Sequence, residues 1–393
     1  MKKLIAICLL LTLVVGPNLA LAGSVSTGLS RGTGGGSSPI IKVKWEMKGP
    51  CLDANETDYL ACPSIGEGKD DSTAPGAQFN APGVWDAKME YTVCAIATDP
   101  NGVSDIDGVY ADIFYPIGIA MHDKNPSTDT HPDNAGGNAD EGVGACEAFI
   151  EENTLVQLTK SEGYNLFCQQ IRGNNTNLPV FAPGYDYNEI CAQDGELMKE
   201  EAYVYCSDKE LIWEDPAGFY KVDAFAQDNS GNNSAILTNN FEYLPFTGFE
   251  KDFTGVAYGQ VLLNTHKIIS GNLVFGDNAT SPTIRNTGNT RLWMWAAQDD
   301  MGLGKSSGLW NVEYDARVGN NEADWTIYSP FDYQGTGAPT WPGEYTRLED
   351  ILDLSETEEM DFSILVKKWP NTNTTYNGTL WLGATMAPFR DCD

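Results

Sequence analysis

Two stretches of the chain carry one pattern. "YTVCAIATDPNG" (91–102) and "YKVDAFAQDNSG" (220–231) agree as Y-x-V-x-A-x-A-x-D-x-x-G. Successive side chains of a strand point to opposite sides, so Tyr, Val, Ala and Ala share one face in each copy. Small alanines on that face let two sheets approach closely. Asp-x-x-Gly then closes each strand, because Asp caps a turn with its side chain and Gly accepts a positive φ. Alternating runs follow both copies, "GVYADIFYP" (108–116) and "AILTNNFEYLP" (235–245). The segments outside do not repeat. The phrases are therefore expected to lead two hairpins of one β-sandwich, with a duplicated domain as the alternative.

The first 22 residues read as a cleaved secretory signal. Lys2 and Lys3 precede an apolar run from Leu4 to Val15, and Ala20-Leu21-Ala22 supplies the small-residue cut. The run is short for a spanning helix, and no later segment is apolar enough to span a bilayer. Residues 23–39, "GSVSTGLSRGTGGGSSP", form a Gly/Ser tether with no means of building a core. The G-x-S-x-G inside it lacks the strand and helix that a nucleophile elbow needs. A net charge of −31 repels nucleic acid and anionic membranes.

Removal of Cys8 with the signal leaves an even set: Cys51, Cys62, Cys94, Cys146, Cys168, Cys191, Cys206 and Cys392. In an exported chain an even set argues for disulfides, and the absence of C-x-x-C argues against a zinc ribbon. Cys51–Cys62 is the expected local bridge. With seven of the eight before residue 207, full pairing requires Cys392 to reach back and tie the C-terminus to the first domain.

"IIKVKWEM" (40–47) alternates as a half-buried strand. Residues 117–216 break the pattern. "HDKNPSTDTHPDNAGGNADEG" is loop-like and "CEAFIEENTLVQLTKSEGYNLFCQQI" (146–171) reads as helical. This region is expected to be an insertion stapled by disulfides because it lacks a core of its own.

"DPAGFYKVDAFAQDNSGNNS" (215–234) resembles the closing hairpin of prokaryotic immunoglobulin-like surface modules, and "ATDPNGVSDIDGVYADIFYP" (97–116) resembles their earlier hairpin. The resemblance implies a fold and no activity. Antibody-type domains add a Cys–Trp–Cys core. Cys94 lies on a strand here, but Val222 stands in the later hairpin, so that bridge is unmatched. Further on, "YGQVLLN" (258–264), "TIRNTGNTRLWMWAAQ" (283–298), "WNVEYDARV" (310–318), "MDFSILVKKW" (360–369) and "YNGTLWLGA" (376–384) read as strands. Asn286-Thr287-Gly288-Asn289 reads as a hairpin turn and "SETEEM" (355–360) as a loop. Gly259, "IRNTGNTRL" and "YNGTLWLG" resemble a second class of immunoglobulin-like module, one that implies attachment or spacing.

The expected fold is mainly β. Two immunoglobulin-like sandwiches span 40–245, with the insertion at about 117–216 disulfide-rich and partly helical, and 246–393. The signal and the module grammar look prokaryotic and are similar to archaeal surface proteins. Six N-x-[ST] sequons fall in turn-like places, at Asn55, Asn174, Asn232, Asn278, Asn373 and Asn377.

Candidate chemistry is sparse. His122 and His131, with Asp123, Asp129 and Asp133, match no strong ligand spacing. His266 stands alone and reads as a surface or satisfied histidine. Asp99, Asn101, Asp105 and Asp107 offer the oxygen ligands that Ca²⁺ takes, but Val103 or Val109 falls where an EF-hand needs a ligand. Ordinary turn capping is the competing reading, as it is for Asp299 and Asp300. Trp293 and Trp295 share a strand face and read as a core pair rather than a sugar platform. No Ser/His/Asp order, P-loop or dinucleotide fingerprint appears. The expected protein is thus exported and acts by binding or assembly at a cell surface. Its partner is a protein, a glycan or a second copy, and it requires no cofactor beyond an optional Ca²⁺. The alternatives are a secreted hydrolase with its site in 117–216, and a filament subunit that donates its N-terminal strand.

Overall fold

The structure, a computed structural model, describes residues 36–53, 76–119, 146, 148–172, 179–277, 281–331, 338–370 and 375–392. Residues 1–35, which include the expected signal segment and most of the expected tether, lie outside the described residues. Residues from Ser37 to Asp393 form one compact unit.

The first nine strands are β1 (Ile40–Lys48), β2 (Ala77–Asn80), β3 (Lys88–Thr98), β4 (Ile106–Phe114), β5 (Ile150–Gln157), β6 (Val180–Phe181), β7 (Ala202–Ile212), β8 (Gly218–Asp228) and β9 (Leu237–Leu244). They join in the order β2-β9-β8-β4-β5-β7-β3-β1-β6, antiparallel except for β2 with β9. The repeated phrases are β3 and β8. All eight of their Tyr, Val and Ala side chains are buried in one cluster, with Val109, Ala111 and Ile113 of β4. Phe241 links them, stacked on Tyr220 at 4.8 Å and tilted against Tyr91 at 5.2 Å. β5 makes this possible: its residues 150–155 pair with β4 and its last two with β7, so the sheet folds over on itself there. The small alanines meet inside the fold, as their size requires.

The pairing differs from the expected hairpins in one place. β8 and β9 do form a hairpin, from Gly218↔Tyr243 to Ala224↔Leu237. β3, however, pairs with β1 and β7, and β4 with β5 and β8. The Asp99–Asp105 corner is therefore a crossing between two parts of the sheet. A turn signal fixes where a strand stops but not which neighbour the next strand finds.

Residues 117–216 are not a coreless insertion, since they supply β5 and β7 at the middle of the sheet. The stretch expected to be helical is half strand: Ile150–Gln157 pairs on both edges, and its Leu155 enters the core. Tertiary pairing overrides the helical preference of its glutamates. Helix begins only at α1 (Lys160–Gly163), where Thr159 and Glu162 make a capping box, and it runs on as a π-helical segment, Tyr164–Ile171. With α2 (Tyr187–Cys191) and α3 (Glu196–Lys199), it covers the second face of β1, β3 and β7. Leu166, Phe167, Ile190 and Leu197 meet Val43, Trp45 and Met47 there.

β1 is therefore buried on both faces, not half-buried. Lys44 and Glu46 alternate with Trp45 and point the other way, both at 0% exposure, and they form an ion pair. Asn239 Nδ2 donates to Glu46 Oε2 at 2.9 Å. Lys42 pairs with Glu196 of α3. A strand held by eight register pairs to β3, with its side chains committed to two cores, is not spare for a neighbour. That corrects the strand-donating filament reading.

Among the described residues three disulfides are seen. Cys94–Cys206 joins directly opposed residues of β3 and β7 within one sheet, so it is not an intersheet core bridge. Cys168–Cys191 ties the π-helical segment to α2. Cys146–Cys392 returns the C-terminus to the first half of the chain, as the cysteine count requires. Cys51 is also disulfide-bonded, but its expected partner Cys62 lies outside the described residues.

The second half contains β10 (Phe249–Lys251), β11 (His266–Ile269), β12 (Thr283–Asn286), β13 (Leu292–Gln298), β14 (Lys305–Ser306), β15 (Leu309–Trp310), β16 (Val312–Val318), β17 (Thr326–Tyr328), β18 (Thr346–Leu352), β19 (Thr357–Val366) and β20 (Leu380–Met386). One sheet runs β10-β12-β19-β16-β17, with β11 also on β19; another runs β18-β13-β20; β14 and β15 pair alone. Their core is separate, from Phe253 to Val366, with Met294, Tyr314, Leu348 and Phe362 inside it. Three expectations change. Residues 258–264 form no strand; Leu263 bridges Val366, Asn264 N donates to Val366 O at 2.9 Å, and Tyr258 packs into the core. β19 already begins inside "SETEEM", at Thr357.

The third change concerns Asn286-Thr287-Gly288-Asn289, which is no hairpin turn, because β12 and β13 belong to different sheets. Its asparagines are buried brackets. Asn286 Nδ2 donates to Asp353 O (2.9 Å), Asn289 Nδ2 to Leu244 O (3.0 Å), and Asn289 Oδ1 accepts from Phe246 N at 2.7 Å. Gly288 must be glycine here, since a Cβ would lie 2.3 Å from Phe246 O.

A run of acids lies along β18 and β19. Burial pushes Glu356 up to about 7, and the Glu358, Asp353 and Asp350 charges push the same way, against the Asp353 amide that donates to it. Asp350 and Glu358 are also raised, chiefly by burial. Arg291 and Arg390 sit on Asp353. A raised carboxylate binds its proton more tightly folded than unfolded. Its contribution is complete below the unfolded value of 4.5 and is lost as pH rises through about 7. Melting curves at pH 5 and pH 8 are expected to differ by ~1–2 kcal/mol from this group after solvent screening. Glu356→Gln should remove that part of the slope, and an unchanged slope in the variant would exclude Glu356 as its source.

Candidate functional site

The outer face of β18-β13-β20 is aromatic. On β13, Leu292, Met294 and Ala296 fill the core, so Trp293 and Trp295 point outward. That corrects their assignment as a core pair. Trp295 faces Gly383 and Arg347 across the two neighbouring strands, and Trp293 faces Thr385 and Ile351. The Arg347 guanidinium lies 4.5 Å over the Trp293 ring. Trp295 Nε1 donates to Thr385 Oγ1 at 2.9 Å. Trp341, 43% exposed, stands edge-on to Trp295 at 5.7 Å and to Tyr345 at 4.7 Å. It can do so because residue 383 is glycine: a Cβ there would come within 2.3 Å of its ring. Trp381 extends the face, packed on Phe331 at 5.1 Å. Such a surface offers half-buried rings around the exposed Trp341, with the Arg347 cation among them. On another side, a 970 Å³ cleft is lined by Val256, Tyr258, Leu262, Met301, Trp369 and Tyr376.

The acidic positions singled out in the sequence come together only in part. Asp99 and Asp105 converge at the crossing, and Asn101 Nδ2 donates to Asp105 Oδ2 at 3.2 Å. Asp107 is exposed and outside the group. The third carboxylate is Asp228, which sequence reasoning missed. One carboxylate oxygen from each of Asp99, Asp105 and Asp228 lies within 4.8 Å of the others. The signal was present, because Asp99 and Asp228 hold the same position in the repeated phrase.

Asp228 caps its own turn. It accepts from Ser230 N (2.9 Å), Asn232 N (2.7 Å) and Asn232 Nδ2 (2.8 Å), and these bonds, the Asn232 side chain first, hold it below the usual range. Asp99 accepts from Asn101 N at 2.6 Å. Burial raises its carboxyl, and the Asp105 and Asp228 charges raise it further.

Asp299 and Asp300 cap turns through Met301 N (3.0 Å), Gly302 N (3.0 Å) and Gly304 N (2.8 Å). His266 is satisfied at the surface, 3.0 Å from both Ser363 Oγ and Asp315 Oδ2. His122 and His131 lie outside the described residues, as do Asn55, Asn174, Asn278 and Asn373. Asn377 is exposed, whereas Asn232 is half-buried against Asp228. Among the described residues no helix is long and apolar enough to cross a membrane.

No protein-family model matches the chain, and no curated protein matches it either. Among solved structures, one described as "BspA_C_WT" is similar at 12% identity and a TM-score of 0.16, over 89% of this chain and 100% of that one. Another, described as "Chaperone-tip adhesin complex is vital for synergistic activation of CFA/I fimbriae biogenesis", is similar at 10% identity and a TM-score of 0.22, over 90% and 92%.

Proposed function

We propose that this chain is an exported, disulfide-stapled β protein that acts at or beyond the cell surface by binding, with the aromatic face of β18-β13-β20 as its contact surface. The outward set Trp293, Trp295 and Trp341 carries the reading. The core is already filled by Leu292, Met294 and Ala296, and the three indoles lie outside it, with Trp341 exposed. Disulfides fit an oxidising, extracytoplasmic compartment. The partner suited to this surface presents a flat apolar face, such as a pyranose ring of a surface glycan, with Arg347 available to an acidic substituent.

The test is a glycan and peptide array probed with the chain lacking its signal segment, followed by Trp341→Ala. Because Trp341 stands on the outside, the variant should keep the wild-type melting temperature within ~2 °C. It should bind its best array ligand roughly tenfold more weakly. No binding on either array, or unchanged affinity in both Trp341→Ala and Arg347→Ala, would refute this surface.

A further inference from the structure

The geometry points to a hard divalent cation, Ca²⁺ by size, held between the two repeated phrases by Asp99, Asp105 and Asp228. Calcium takes oxygen ligands at about 2.3–2.6 Å, so two ligands on opposite sides of one ion stand roughly 4.6–5.2 Å apart. The three carboxylate oxygens lie within 4.8 Å of one another, close enough for small side-chain movements to bring all three onto one ion. Mg²⁺ needs near-ideal octahedral contacts about 2.0–2.1 Å long, and zinc prefers nitrogen and sulfur, so this set favours the larger ion.

A second observation is independent of the clustering. Asp99 is 4% exposed, and its Oδ2 is buried with no hydrogen-bond partner. A buried carboxylate oxygen left without a donor is costly, and native folds rarely retain one unless something unseen meets it. Among the described residues no Lys or Arg forms an ion pair with any of the three carboxylates. The corner thus gathers three acids and leaves one oxygen unmet. A cation supplies what is missing.

Its place in the fold gives the ion a task. Asp99 follows β3, Asp105 precedes β4, and Asp228 ends β8. Asn229 N donates to Asp105 O at 2.8 Å, so the two turns already touch. Asn101 Nδ2 also donates to Ser37 O at 3.1 Å, which brings the root of the tether to the same corner. An ion here clamps the β3–β4 crossing to the β8 turn beside the point where the tether enters the fold. This inference is independent of the aromatic face, and either can fail alone.

The experiment is calorimetric titration of the chelator-stripped chain, lacking its signal segment, with CaCl₂ and separately with MgCl₂, in about 0.15 M salt to screen diffuse binding. One Ca²⁺ per chain is expected, with Kd on the order of 10⁻⁴–10⁻³ M or tighter, and at least tenfold weaker Mg²⁺. Asp105→Asn should weaken Ca²⁺ by about tenfold or more, because its side chain accepts from Asn101 but caps no strand. Asp107→Asn, next door but outside the group, should leave the affinity unchanged. If Asp105→Asn does not fold, wild-type stoichiometry and the Ca²⁺/Mg²⁺ ratio still decide. Absence of saturable binding, equal binding of both ions, or wild-type affinity in folded Asp105→Asn overturns the site.

Discussion

Lys44→Ala is expected to destabilise the chain by about 3–5 kcal/mol, a large share of the stability of an ordinary domain. Lys44 and Glu46 are both fully buried inside the folded sheet. Truncating the lysine leaves the Glu46 carboxylate in the interior with its countercharge gone, and Asn239 Nδ2 cannot replace a cation. The penalty belongs to the orphaned charge more than to the lost contact. Lys44→Met combined with Glu46→Leu should therefore recover most of the loss, ending within ~1 kcal/mol of wild type or above it. Chemical denaturation of the three proteins measures this directly. A cost below about 1 kcal/mol for Lys44→Ala would mean that water reaches the pair.

The second large effect is expected from Cys94→Ala combined with Cys206→Ala. The bridge spans a sequence separation of 112 and lies wholly within the core under the helices. Its removal frees the unfolded chain from a long loop and leaves space where two sulfurs packed. A loss of about 2–5 kcal/mol follows. The eleven-residue register of β3 and β7 does not depend on the bridge, so the double variant should keep its β-sheet circular dichroism while its guanidinium midpoint falls. Loss of the sheet signal at zero denaturant would show that the bridge determines the topology and not only the stability.

The strands were largely legible and their neighbours were not. Alternation marked β1, β3, β4, β8, β9, β16 and β19, because a buried face writes itself every second residue. It could not show that β3 and β4 part company, since that depends on β5 and β7 arriving between them from far along the chain. β5 was hidden by its glutamates. Lys44 and Glu46 were hidden because each, taken alone, reads as a solvent residue, and only the second core around Trp45 encloses them. Trp293 and Trp295 illustrate a sharper limit. Leu292, Met294 and Ala296 are as apolar as the tryptophans, so both faces of β13 look like core, and period two cannot say which faces out. The acidic corner was half legible. Asp99 and Asp105 stood out as turn residues, and Asp228 joined them only once the two phrases were seen to end at one place.

The Cys146–Cys392 bond has a mechanical meaning for a chain that enters its fold through a Gly/Ser segment. A pull between that segment and anything attached past residue 392 travels along the backbone to Cys146 and then crosses the sulfurs. The Cys94–Cys206 bond opens a parallel covalent route through residues 147–205, while the longer stretch from 207 to 391 stays slack beside both routes. The sheet bearing Trp293 and Trp295 would keep its shape under tension while the strands ahead of Cys146 bear the strain.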